Sequence, residues 1–299
     1  HSLFLLVALL LAACAAQEPP AASLPAALTG TVEREPPAAP VAPLQLQGEL
    51  VQGALVQGRL PPGSRLRLGE RDVRLAADGT FVFGLDRDAP AELVLAAVLP
   101  DGTPWQETRP VRAREYDIQK VSGIARRIME PTAQDLERIR QESAQVSAAR
   151  RTDDPRLDFL QPFSWPLVGR ITGVYGSQRY YNDVPGRPHY GIDIAAPTGT
   201  PVLAPASGIV TLAHADMFYS GGTLIIDHGH GVSSTLMHLS AVLVKAGERV
   251  EQGQVVARVG ATGRSSGPHL DWRMNWFGER IDPQLLVPPM PASPGGSAP

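Results

Sequence analysis

The chain has 299 residues, enough for two domains of ordinary size, and carries a formal net charge of −3. Its 27 basic residues are balanced by 30 acidic ones and form no run, so nothing in the sequence offers a basic footprint for nucleic acid. Its 29 glycines and 29 prolines are about a fifth of the chain against ~12% in average usage, which favours short strands and turns and argues against a helical bundle.

Residues 1–16 read as an export leader. Leu3 to Leu11 is an apolar run of the length of a signal-peptide core, too short to span a bilayer, though it lacks a charged segment before it. The single cysteine, Cys14, ends the run Leu11-Ala12-Ala13-Cys14, which looks like a lipobox, so Cys14 is the expected lipidation site. The alternative is a plain signal peptide cut after Ala15 or Ala16. Either reading places the protein in the cell envelope, in the periplasm or anchored to the outer membrane through the lipid. With one cysteine the chain has no internal disulfide. Residues 17–43 are rich in proline and alanine and poor in large apolar side chains, and read as a disordered tether.

Residues 44–115 change to short alternating stretches, such as Arg65-Leu66-Arg67-Leu68. Asp78-Gly79 then turns the chain into Thr80-Phe81-Val82-Phe83, a hairpin signal. This pattern predicts a small β-sandwich. Residues 116–160 predict a helical connector, with Thr132 as N-cap and Asp135 three residues later. Leu136, Ile139 and Val146 form its expected inner face, and Arg150-Arg151 closes it where cations are favoured. Residues 161–288 return to strands and glycine turns that read as two halves of a barrel-sandwich hybrid, and 289–299 as a disordered tail. The fold class is mainly β.

Within the last domain, three histidine settings carry ligand chemistry. In His189-Tyr190-Gly191-Ile192-Asp193, a separation of four on extended chain puts an imidazole and a carboxylate on one face, a zinc-type pair. Met237-His238-Leu239-Ser240 follows a strand-like run. In Gly267-Pro268-His269-Leu270-Asp271-Trp272, His269 and Asp271 again share a face. Alone, each of these histidines reads as a hydrogen-bonded structural residue; the combination points to a metal centre. His228 and His230, in Asp227-His228-Gly229-His230-Gly231, read as a turn with structural roles.

HxxxD, a histidine in an M-H-L-S setting, and G-P-H-x-D together resemble the lysostaphin-type (M23) zinc endopeptidases. The resemblance covers roughly residues 163–287 and includes Ile171-Thr172-Gly173-Val174-Tyr175-Gly176, Ala195-Ala196-Pro197 and Ile226-Asp227-His228-Gly229. It implies one Zn2+ ion held by His189 and Asp193, with His238 and His269 as the two catalytic histidines. The third ligand in the family is the second histidine of HxH, and Asp271 stands there instead. Carboxylate is a competent zinc ligand, but it is shorter and adds negative charge. Tyr180 and Tyr181, before HxxxD, are further candidates for contact with substrate, as is Trp272 for walling the groove.

The expected activity is metal-assisted hydrolysis of peptide bonds in peptidoglycan stems or cross-bridges, with cell-wall or division proteins as candidate partners. Two rivals stand beside it. One is an inactive domain of the same fold that activates a cell-wall amidase. The other is a lipoyl- or biotinyl-type carrier, disfavoured because the tip Val259-Gly260-Ala261-Thr262-Gly263 has no lysine.

Overall fold

A computed structural model describes residues 43–121, 132–181 and 184–291; Cys14, the leader, most of the tether and the tail beyond residue 291 lie outside the described residues. The described residues belong to one compact unit. Among the described residues no helix is long and apolar enough to cross a membrane.

The first half is built from β1 (Gln45–Gln47), β2 (Leu55–Arg59), β3 (Arg65–Leu68), β4 (Arg71–Val73), β5 (Thr80–Gly84), β6 (Glu92–Val98) and β7 (Pro104–Pro110). They form two sheets, ordered β1-β2-β5 and β4-β3-β6-β7. Alternation decides which side chains go inward: along β6, Leu93, Leu95 and Ala97 are buried while Glu92 and Val94 face solvent. At the predicted turn into β5, the Thr80 N–H donates to the Asp78 carboxylate at 3.0 Å.

The connector holds β8 (Ile118–Val121) and α1 (Ala133–Arg150). The N-cap is the expected one. Thr132 accepts from the Asp135 N–H at 3.1 Å, and the Asp135 carboxylate accepts from the Thr132 N–H at 3.0 Å. The inner face differs from the prediction: Leu136 is 46% exposed, and Glu142 is buried in its stead. Glu142 repeats with Val146 and Ala149 at helical spacing. Its carboxylate accepts from Arg138 at 2.7 Å and from the Phe218 N–H at 2.8 Å, partners that replace the water it loses.

The second half runs through β9 (Arg170–Gly173), β10 (Gln178–Tyr181), β11 (Val184–Pro185), β12 (Ile192–Ala195), β13 (Pro201–Leu203), β14 (Gly208–Met217) and β15 (Gly221–Asp227). It continues with β16 (Val232–Val242), β17 (Arg249–Val250), β18 (Val255–Val259), β19 (His269–Trp276) and β20 (Glu279–Ile281). The main sheet follows the path β17-β14-β15-β16-β19-β12-β9, flanked by β13, β18 and β20, and the path is open rather than closed on itself. A separate three-stranded sheet, β11-β10-β8, joins the connector to the segment before HxxxD. Ile192, Ile194, Leu224, Leu236, Leu270, Trp272 and Met274 are fully buried in the core of the main sheet. Both halves contribute to one hydrophobic cluster. At their junction a Cβ on Gly84 of β5 would meet Trp276 and Ile281 at 2.8 and 2.6 Å, so the close approach requires glycine there.

Candidate metal centre

The centre is assembled by two antiparallel neighbours toward one edge of the main sheet. β12 and β19 pair in a register that sets Asp193 opposite Asp271 and Ala195 opposite His269. Two carboxylates directly across a strand pair repel each other and destabilise the ladder unless a cation lies between or beside them. Room for them comes from missing side chains: a Cβ on Gly173, which pairs with Asp193 from β9, would sit 2.3 Å from Asp193 Oδ2. One on Gly191 would sit 2.6 Å from Asp271 Oδ1.

His189 precedes β12 and is fixed by its backbone. Its N–H donates to the Ser177 carbonyl and its own carbonyl accepts from the Gly176 N–H, both at 2.8 Å. The side chain reaches Asp193, with Nε2 and Oδ1 3.3 Å apart. Both atoms are shielded from water and neither makes a hydrogen bond. Ligand atoms of His189, Asp193 and Asp271 all lie within 4.8 Å of one another. Buried donors and acceptors are otherwise almost always satisfied, so this orphaned pair next to a second carboxylate fits a divalent metal ion.

His238 and His269 flank the triad, with ring centroids 4.8 Å apart. Each ring is oriented by a backbone carbonyl: His238 Nδ1 lies 2.9 Å from the Thr262 oxygen, and His269 Nδ1 lies 2.8 Å from the Gly267 oxygen. A carbonyl can only accept, so Nδ1 carries the proton in both rings and Nε2 is left for chemistry. His269 Nε2 is 3.7 Å from Asp193 Oδ1. Burial pushes the His238 pKa below its ordinary value, although its bond to Thr262 and the charge of Asp271 pull the other way. Its backbone has φ of 61°, the left-handed region that residues other than glycine seldom occupy, and such conformations concentrate at functional sites.

Asp271 is 2% exposed and has a partner that sequence reading passed over. Arg273, two residues along the same face of β19, donates from Nε to both carboxylate oxygens at 3.0 and 3.1 Å and from Nη2 to Oδ2 at 2.6 Å. Burial would raise the Asp271 pKa, but the charge and hydrogen bonds of Arg273, together with the charges of His189 and His238, reverse it, and the carboxyl is held below its usual range. The stripe His269, Asp271, Arg273 at a spacing of two was the available signal.

Of the remaining candidates, Tyr180 is half-buried on β10 and Tyr181 ends that strand. Trp272 does not wall the groove. It is fully buried on the opposite face of β19, edge-on to Trp165 with centroids 5.8 Å apart, because alternation sends it away from His269 and Asp271. His228 is fully buried between the Ser207 carbonyl and the Ser234 hydroxyl, each at 2.7 Å. His230 is buried against Phe159.

A 127-residue stretch is 39% identical to DD-carboxypeptidase/endopeptidase Mpg of Neisseria meningitidis, covering 42% of this chain and 29% of the relative. A 106-residue stretch is 37% identical to peptidoglycan DD-endopeptidase ShyA of Vibrio cholerae, covering 36% of this chain and 24% of the relative. The chain therefore matches under a third of the length of these curated relatives. A crystal structure of a candidate M23 peptidase from Pseudomonas aeruginosa aligns over 80% of this chain and 95% of its own, with TM-score 0.62 and 29% identity. Residues 187–283, which contain all five predicted metal-binding and catalytic residues and Arg273, match the model for peptidase family M23, and over that stretch the chain carries a domain of that family.

Proposed function

We propose that this protein is an exported, zinc-dependent endopeptidase that hydrolyses peptide bonds in the stems or cross-bridges of peptidoglycan. The observation that carries the proposal is the buried, hydrogen-bond-free pair His189 Nε2 and Asp193 Oδ1 beside the Asp271 carboxylate. The names of the matched relatives, a DD-carboxypeptidase/endopeptidase and a peptidoglycan DD-endopeptidase, supply the substrate class. His189, Asp193 and Asp271 are the residues that would hold one zinc ion. When bound, zinc activates water and polarises the scissile carbonyl.

The rest of the chemistry belongs to the chain. His238, neutral and with Nε2 unprotonated, takes the proton of the attacking water. His269, in its form protonated on Nε2 as well as Nδ1, donates from Nε2 to steady the developing oxyanion. Tyr180 and Tyr181 are proposed to line the approach of the substrate. Export, lipid on Cys14 and the 17–43 tether complete the reading by putting the domain within reach of the wall.

One observation favours a second reading, in which the domain is inactive and activates an amidase: Asp271 replaces the expected histidine and its oxygens already accept from Arg273. Zinc stoichiometry and digestion of purified sacculi, for the wild type, His189→Ala and Asp271→Ala, separate the two. About one zinc per wild-type chain, soluble muropeptides from sacculi, and loss of both in either variant are expected. Zinc-free, wall-inert wild type that stimulates an amidase would establish the second reading.

A further inference from the structure

We propose that Asp271 and Arg273 form one exchangeable unit, in which Arg273 is the positioning residue that lets a carboxylate serve as third metal ligand where the resemblance calls for histidine. The inference rests on the reading of the site as a zinc centre.

Charge is the first argument. A neutral imidazole with two carboxylates presents two negative charges to the ion, whereas two imidazoles with one carboxylate present one. The guanidinium of Arg273, hydrogen-bonded to Asp271, cancels one of them. The centre then keeps the charge it would have with histidine at position 271. Geometry is the second argument. The three contacts from Arg273 run edge to edge with the carboxylate and fix its plane. An aspartate is shorter than a histidine, so a ligating oxygen must be aimed rather than left to rotate. Oδ1 accepts from Nε alone and keeps a lone pair beyond the one Arg273 uses, and a carboxylate oxygen of Asp271 lies within 4.8 Å of the ligand atoms of His189 and Asp193. Partners of metal ligands typically control affinity by 10–100-fold.

A second consequence follows from position. Arg273 has one-quarter of its side chain exposed and Asp271 3%. Putting histidine at 271 would remove the anion and leave a cation directed at a site for a dication. Asp271→His alone should therefore weaken zinc binding, even though it installs a common zinc ligand. Removing the arginine as well should relieve the repulsion.

The test is a double-substitution cycle on the full chain, with zinc affinity measured by competition against a chromogenic chelator. Thermal melting of the metal-free forms checks folding. Expected are a loss of roughly 10–100-fold for Arg273→Met, a smaller loss for Arg273→Lys, which keeps charge without the planar fork, and a loss for Asp271→His. Recovery to within about threefold of wild type is expected for the double variant Asp271→His/Arg273→Met, the diagnostic that a merely structural role for Arg273 would not give. Wild-type affinity in Arg273→Met, or equal losses from Arg273→Met in both backgrounds, would overturn the coupling while leaving the zinc centre intact. Failure of the wild type itself to bind zinc would overturn both.

Discussion

His228 shows what a histidine of this domain does outside the proposed centre. It is fully buried, gives its Nδ1 proton to the Ser207 carbonyl, and burial pushes its pKa down to about 4. The unfolded chain binds that proton near pH 6.5, so between pH 6.5 and about 4 the unfolded state holds more protons. His228 therefore costs stability as pH falls through this window, at up to about 1.4 kcal/mol per pH unit. Its neighbour Asp227 acts in the opposite sense. Burial, only partly offset by Arg156, pushes that carboxyl up to about 7, so its contribution is lost as pH rises toward 7. Comparing urea midpoints at pH 7 and pH 4.5 for the wild type and His228→Asn isolates the histidine, since asparagine retains a donor for Ser207. A smaller acid-side loss in the variant is expected, and equal losses would show that His228 is not the group involved.

At the scale of elements, the two-residue period of β19 explains both what the sequence disclosed and what it hid. It put His269 and Asp271 on one face, as the structure has them. The same period sends Trp272 into the core and brings Arg273 onto the site face, consequences that were as legible as the ligand pair. Local spacing carries HxxxD and G-P-H-x-D because one short segment supplies each set of groups. Glu142 was hidden because its partner, the Phe218 N–H, lies 76 residues away and no local pattern reports it. The turn between β15 and β16 is a further case. Gly229 has φ of 89°, and a Cβ there would come within 1.9 Å of the Arg156 carbonyl oxygen. That contact belongs to a docked connector, in which the Phe159 N–H donates to His228 at 3.0 Å and Arg156 pairs with Asp227. Gly229→Ala should cost about 1–2 kcal/mol for the left-handed backbone alone. Overpacking against the connector adds about 1–3 kcal/mol more. A thermal midpoint unchanged from wild type would mean that the connector yields freely and does not brace the turn.

Across the whole molecule, the N-terminal sheets are tied to the segment that braces the backbone of His189, one of the proposed metal ligands. Arg87, 7% exposed, donates from Nε to the Gly176 carbonyl at 3.1 Å, and its guanidinium lies 4.4 Å from the centre of the Tyr116 ring. Tyr116 in turn donates its hydroxyl proton to the Arg87 carbonyl at 3.3 Å. Gly176 and Ser177 hold the backbone of His189 on both sides. A second tie lies elsewhere between the halves, where the Arg71 guanidinium is 4.9 Å from the centre of the Trp276 ring and 5.2 Å from that of Phe277. Recognition of the catalytic motifs gives no hint of this support, because Arg87 and Gly176 are 89 residues apart. Arg87→Ala deletes the donor to Gly176 and the packing on Tyr116, and should lower stability by about 1–3 kcal/mol. If the tie also positions His189, zinc affinity should fall several-fold in the same variant, as it does when supports of metal ligands are removed. Arg71→Ala breaks the second tie, which is made to Trp276 and Phe277 rather than to the segment around Gly176, and should lower stability with zinc affinity near that of wild type. Equal zinc affinity in both variants would reduce the N-terminal sheets to a stabilising base, whereas a deficit confined to Arg87→Ala makes them part of the apparatus that aims His189.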